Sequence, residues 1–163
     1  MIDYAKLIDE EKSRDDSLLS IAETQKRREI EMLAFFRNVE IAIGEEMARA
    51  NQELKRRGSP TINGPFRPNK DLEMIELEFG TRSPCCRLIL QTAKEMGLAR
   101  IQVELFDDSE SSISRAEFVI EEEASGVRAY RPLVAGFPDK AAESTAEEIA
   151  QRIVPGIICG RFT

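Results

Sequence analysis

The first third of the chain carries apolar side chains at helical spacing. Residues 16–57 contain no proline, and Gly44 is their only glycine. In the second half of this stretch, apolar residues recur every three or four positions, which places them on one side of a helix. These residues are Met32, Phe36, Val39, Ile43, Met47, Ala50 and Leu54. Because charged residues occupy the other side, the pattern predicts one long amphipathic helix over residues 16–57.

The upstream half of this predicted helix has a weaker apolar stripe. Residues 23–31 are almost entirely polar, whereas Leu18 and Ala22 restore the stripe just before them. At about 1.5 Å per residue, a helix of about forty residues is ~60 Å long. A compact domain of the remaining ~100 residues has a radius of gyration of only ~13 Å. We therefore expect one end of the helix to extend beyond the domain.

An extended helix end that cannot bury itself favours pairing with a second copy of the chain. The residues predicted to mediate this self-association are Leu18, Ala22, Met32 and Phe36. The alternative is a break near Arg27 or Gly44 that folds the helix into a hairpin within one monomer. Residues 1–17 are rich in charge, and we expect them to form a separate short helix or to be partly disordered.

The apolar period changes from 3.6 to 2 after a linker. Residues 58–70 contain three prolines and two glycines, which predicts a loop. Apolar and polar residues then alternate in five runs, at 75–79, 88–90, 101–105, 116–120 and 127–131. The connections are too short for helical crossovers, so the runs predict an antiparallel meander of four to five strands. Such alternation gives the sheet one apolar face, and we expect helices to cover it.

The C-terminal part of the chain predicts one more helix. After a loop with Gly136 and Pro138, a helix is expected over residues 144–154, since Thr145 and Glu148 have capping-box spacing. Pro155 should end it. The apolar tail 157–162 should pack on the domain or add an edge strand.

The predicted fold class is therefore α+β, with a long N-terminal helix, a helix-covered antiparallel sheet and a short C-terminal helix. Its parts are a coiled-coil-like helical segment (1–57, with its core at 16–57), a linker loop (58–70) and a sheet domain that includes the C-terminal helix (71–163).

Charge and composition narrow the classes of partner. A formal charge of −7, from 30 acidic and 23 basic residues, argues against nucleic acid and anionic membranes. No apolar run approaches the ~20 residues of a membrane span, and no secretory leader is recognisable. Three cysteines without a spaced pair suggest a reducing compartment, so we expect a cytoplasmic protein.

Candidate catalytic and metal-binding residues are scarce. The chain has no histidine, which excludes Ser-His-Asp and Cys-His nucleophilic systems and the commonest zinc sites. A three-thiolate site from Cys85, Cys86 and Cys159 is less favoured than ordinary burial of the thiols. Glutamates and arginines alternate on the polar face of the sheet, where cross-strand ion pairs are favoured over a carboxylate-lined site. We predict no catalytic residue, no metal ligand and no cofactor.

Three functions remain open at this point. The first is a non-enzymatic scaffold or interaction protein, a homodimer through its long helix, that presents its sheet domain to a protein partner. The second is a small acidic binding chaperone or adaptor, which requires an exposed apolar groove. The third is a small-molecule binder or enzyme with a site between sheet and helices, using glutamate and arginine as polar groups.

Overall fold

The computed structural model describes residues 2–67, 74–81, 84–92, 98–123, 126–134 and 137–162. It confirms the α+β class. In chain order the elements are α1 (Tyr4–Arg56), β1 (Asn63–Phe66), β2 (Met74–Gly80), β3 (Pro84–Thr92), β4 (Leu98–Phe106), β5 (Ser112–Glu123), β6 (Gly126–Val134), β7 (Phe137–Ser144) and α2 (Ala146–Cys159).

Helix α1 is continuous over 53 residues, which at about 1.5 Å per residue makes it ~80 Å long. The alternative of a hairpin broken near Arg27 or Gly44 is therefore wrong. Residues 4–15, which were expected to be a separate helix or partly disordered, belong to the same helix. Asp3 caps its start, because its side chain accepts a hydrogen bond from the Lys6 N–H at 3.2 Å. The helix ends at Arg56, one residue before the predicted end, and Gly58 follows with φ at 69°.

Within the described residues, the sheet has seven antiparallel strands in chain order, not four or five. The five predicted runs are β2 to β6. The two strands that the sequence did not predict are the edges, β1 within the expected linker and β7 within the expected loop. Both contain proline, which lacks a backbone N–H and is tolerated on edge strands. Residues 68–70 of the expected linker lie outside the described residues.

Strand register collects the apolar residues on one face of the sheet. Leu77, Leu88, Val103 and Ala116 are aligned across β2 to β5. The next residues along, Glu78, Arg87, Glu104 and Arg115, form an equivalent row on the opposite face. One face is therefore apolar and the other charged, as the alternation indicated.

Both helices contribute side chains to the core on the apolar face of the sheet. This confirms the prediction that helices cover that face. From α1 the buried residues are Met32, Phe36, Val39, Ala42, Ile43 and Met47. From α2 they include Ile149, Ile153, Val154 and Ile157. The first of the α1 residues comes more than halfway along the helix, so only its C-terminal part is packed.

Helix α2 begins as predicted and ends later. The Glu148 N–H donates to Thr145 Oγ1 at 3.2 Å, and the Thr145 N–H donates to Glu148 Oε2 at 3.0 Å, which completes the capping box. The helix does not end at Pro155, because the buried Gly156 and Ile157 keep the next turn packed on the core. The tail then packs on the domain through Phe162 and does not form an edge strand.

Strands β5 and β6 pair along only part of their length. Among the described residues, their register runs from Val119 opposite Tyr130 to Glu123 opposite Gly126. Beyond Tyr130, β6 pairs with β7, for example at Pro132 opposite Pro138. The first half of β5 therefore has a free edge on this side.

Candidate self-association surface

The N-terminal part of α1 projects beyond the rest of the molecule. Arg28 is the first α1 residue joined to the sheet by an ion pair, with its Nε 2.7 Å from Glu122 Oε2 on β5. Upstream of it, every described side chain is exposed except that of Thr24, which is half-buried. We call residues 4–26 of α1 the arm and the remainder of the described chain the body. The arm comprises about six helical turns that the body does not cover.

The four residues predicted for self-association fall in two different environments. Leu18 is 58 % exposed, and Ala22 is also exposed on the arm. Met32 and Phe36 are 5 % and 1 % exposed, because they pack in the core of the body. An exposed surface for a second copy therefore includes Leu18 and Ala22 but not Met32 and Phe36.

The arm presents large apolar side chains to water. Tyr4, Leu7, Leu18 and Ile21 are exposed by 48–68 %, and Ile8 and Leu19 are similarly exposed. These residues form two groups near the ends of the arm, separated by residues 9–16, all of which are charged except Ser13. Exposed apolar groups on a helix of this length are typical of a protein-protein contact.

Six arm residues follow the alternating three- and four-residue spacing of a two-stranded coiled coil. We call this set the seam, and it consists of Tyr4, Leu7, Glu11, Arg14, Leu18 and Ile21. Leu19 lies beside the seam, on the outer side of the helix. The seam is not evident in the predicted helix of residues 16–57, because four of its six residues lie upstream of residue 16. The absence of proline and glycine from residues 1–43 was the signal that could have revealed it.

Glutamates and arginines form ion pairs across the charged face of the sheet. Arg87 Nε lies 2.6 Å from Glu76 Oε1, Arg100 Nη1 lies 3.6 Å from Glu117 Oε1, and Arg128 Nη1 lies 2.9 Å from Glu143 Oε2. The predicted cross-strand ion pairs are thus confirmed.

Glu123 is also held in its charged form on this face. A hydrogen bond from the Tyr130 hydroxyl, then one from Lys140, lowers the pKa of Glu123. The four glutamates named for this face are thus engaged as ion-pair or hydrogen-bond partners.

The cysteines are separate free thiols. Cys86 is buried in the core, Cys85 is half-buried and Cys159 is exposed on α2. Burial raises the pKa of both Cys85 and Cys86, so these thiols are poor nucleophiles and poor metal ligands at neutral pH. Among the described residues, no group of three or more acidic or cysteine side chains could hold a metal ion.

No family model, no curated protein and no solved structure matches this chain. None of the helices in the described ranges combines the length and apolarity needed to cross a membrane.

Proposed function

We propose that this chain is a non-enzymatic interaction protein that forms an antiparallel homodimer through its arm and presents its sheet domain to a protein partner. The observation that carries the proposal is the exposed seam on a helix that the body does not cover. The free thiols and the absence of a spaced cysteine pair support a cytoplasmic location.

The arm has a physical reason to bind a second helix. Helix nucleation is unfavourable, and most helical stability in proteins comes from packing an apolar face. The body supplies that packing to α1 only from about Arg28 onward. Pairing of two arms would supply such packing to residues 4–26 of α1. Each large apolar side chain that becomes fully buried would contribute ~1.5–3 kcal/mol.

The charges in the seam favour antiparallel pairing. If two arms cross about a two-fold axis between Lys12 and Ser13, Leu7 faces Leu18 of the second copy and Tyr4 faces its Ile21. In the same register Glu11 faces Arg14 of the second copy. The two pairs of facing residues nearest the two-fold axis therefore carry opposite charges. Parallel pairing in register would instead place Glu11 against Glu11 and Arg14 against Arg14, which is repulsive.

Molar mass in solution tests the proposal. Over a micromolar concentration series, sedimentation equilibrium should show the native chain approaching twice its 18.4 kDa mass. The double variant Leu7→Glu, Leu18→Glu should remain monomeric, because it places carboxylates opposite one another in the apolar layers. The matched control is Leu19→Glu, which changes an equally exposed leucine beside the seam and should still dimerise. A native chain that stays monomeric throughout the series contradicts the proposal.

Disulfide cross-linking tests the direction of pairing. In a Cys159→Ser background, a mixture of the Leu7→Cys and Leu18→Cys chains should form a mixed disulfide under mild oxidation. Neither variant alone should cross-link, because the two copies of residue 7 would lie about 16 Å apart along the antiparallel pair. Efficient cross-linking of Leu7→Cys with itself would show parallel pairing.

A further inference from the structure

A cleft opens where β6 departs from β5. It has a volume of about 550 Å³ and lies between the free edge of β5, the middle of β6 and helix α2. Residues of these three elements and of the neighbouring strand β4 line it, including Val103 (β4), Ala116 and Glu117 (β5), Arg131 (β6) and Arg152 (α2). A second cleft of about 450 Å³ shares Arg131 and Arg152 with the first. These two arginines therefore stand between two adjoining spaces.

Arg152 is held in this cleft by packing. It projects from α2, and its Cζ lies 5.7 Å from the centroid of the Phe118 ring. Its Nε is buried and has no hydrogen-bond partner within the part of the chain that the structure describes. Burial, and then the positive charge of Arg131, lowers the pKa of Arg152. The site thus brings two guanidinium groups together where one donor is unsatisfied.

The acidic residues around the cleft have partners of their own. Glu104 Oε2 lies 3.6 Å from Arg115, and Glu117 Oε1 lies 3.6 Å from Arg100. Glu148 accepts the hydrogen bond of the α2 capping box. No carboxylate of the described residues lies at ion-pair distance from Arg131 or Arg152.

Two neighbouring cations that have no counter-ion among the described residues are unfavourable in a partly desolvated cleft, and an anion bound between them would remove that cost. Guanidinium groups bind planar and tetrahedral oxyanions through paired N–H donors. We propose that Arg131 and Arg152 bind the oxyanion of a small molecule, a phosphoryl or carboxylate group, in this cleft. The volume falls in the range of small-molecule sites.

Glu117 adds a second element of recognition. Its Oε1 is buried and accepts no hydrogen bond from any residue in the described ranges, although it keeps the longer ion pair with Arg100. A ligand that carries a hydroxyl or amine donor near its oxyanion would satisfy this oxygen as well. The site is independent of the arm, so it does not depend on dimerisation.

Anion titrations of the full-length chain test this inference. Inorganic phosphate and succinate are titrated separately at constant ionic strength, with chloride as the balancing ion, while NMR follows the Arg152 Nε–Hε resonance. We expect that resonance to shift saturably with at least one of the two anions. A response to phosphate alone assigns a phosphoryl ligand, and a response to succinate alone assigns a carboxylate ligand.

Variants locate the binding. Arg152→Lys keeps the long apolar stem and the charge, and Arg131→Gln changes an exposed residue, so both chains should fold. The titration is then followed through backbone amides of β5 and β6. Each variant should weaken the apparent affinity about tenfold or more, which corresponds to ~1.4 kcal/mol.

The control is Arg49→Gln, which removes the same charge from the exposed outer side of α1 and should leave the affinity unchanged. Equal weakening in the control, or a shift no larger and no more saturable than that given by chloride alone, would overturn the proposal.

Discussion

The two halves of α1 have the same backbone conformation but opposite surroundings. In the C-terminal half, Phe36 and Val39 are almost fully buried against the body, whereas in the arm Leu18 and Ile21 lie in water. Charge differs as well, since Glu11 and Arg14 interrupt the apolar positions of the arm. A continuous helix can therefore have two halves that are stabilised by different contacts. The body stabilises one half, and we propose that a second copy stabilises the other.

The largest expected effect is loss of a core side chain from the body half. Phe36→Ala should lower the free energy of unfolding by ~3–5 kcal/mol, because it leaves a cavity in the core of the body. Urea denaturation under monomeric conditions measures this effect. Leu18→Ala, the equivalent change in the arm, should alter the same quantity by less than ~0.5 kcal/mol. Comparable losses in both variants would show that the arm packs on the body.

Charge reversal in the seam should give the next largest effect. Glu11→Arg would place arginine opposite arginine in two symmetry-related layers, and we expect the dimer dissociation constant to rise about tenfold or more, or ~1.4 kcal/mol. Adding Arg14→Glu should restore native affinity, because the exchanged charges again face each other. Sedimentation equilibrium measures both variants. Unchanged affinity in Glu11→Arg would place the contact elsewhere on the chain.

Removal of the N-terminal caps of α1 and α2 should give a smaller difference in stability between the arm and the body. Thr145→Ala removes the capping box of α2, whose helix is packed on the core, and should cost ~1 kcal/mol of global stability. Asp3→Ala removes the cap of the arm and should reduce only the local helicity of its first turns. Denaturation of the body and amide exchange of residues 4–10 separate these outcomes. A global loss in Asp3→Ala would contradict the independence of arm and body.

The smallest expected effect is a change in the pKa of Glu123 on the charged face of the sheet. The hydrogen bond from Tyr130 is the main reason why the pKa of Glu123 is lowered. A lowered pKa means that ionised Glu123 stabilises the folded state. The stabilisation is present above the ordinary carboxyl pKa and is lost as pH falls through the lowered pKa of Glu123. Tyr130→Phe should raise the pKa of Glu123 in an NMR titration of side-chain carboxyl carbons. Asp107, whose pKa is lowered chiefly by hydrogen bonds from Ser109 and Ser111, should titrate as before.

The sequence predicted those parts of the fold that have strong local patterns. Strands β2 to β6 follow from alternation that the register confirms, such as Leu77 beside Glu78. The exposed edge strand β1 was missed, because Gly64 and Pro65 look like loop residues and the sheet supplies the pairing. The end of α2 was misplaced because Pro155 breaks most helices, whereas tertiary packing compensates here.

The two candidate sites, the seam and the cleft, also differ in how far the sequence could predict them. The seam could have been found by following the alternating three- and four-residue spacing upstream of Leu18, since all six of its residues lie in one helix. The cleft could not, because Arg131 and Arg152 are distant in sequence and meet only where β6 leaves β5 for β7. No pattern along the chain indicates which sheet edge will remain free.

The uninterrupted course of α1 has a mechanical consequence. In the proposed antiparallel pair, Met32 would lie about 30 Å along the helix from the two-fold axis, so the two sheet domains would be held about 60 Å apart. A helix without proline or a glycine pair resists bending, and the pair would act as a rigid spacer. A molecule that engages both domains at once would have to match that separation.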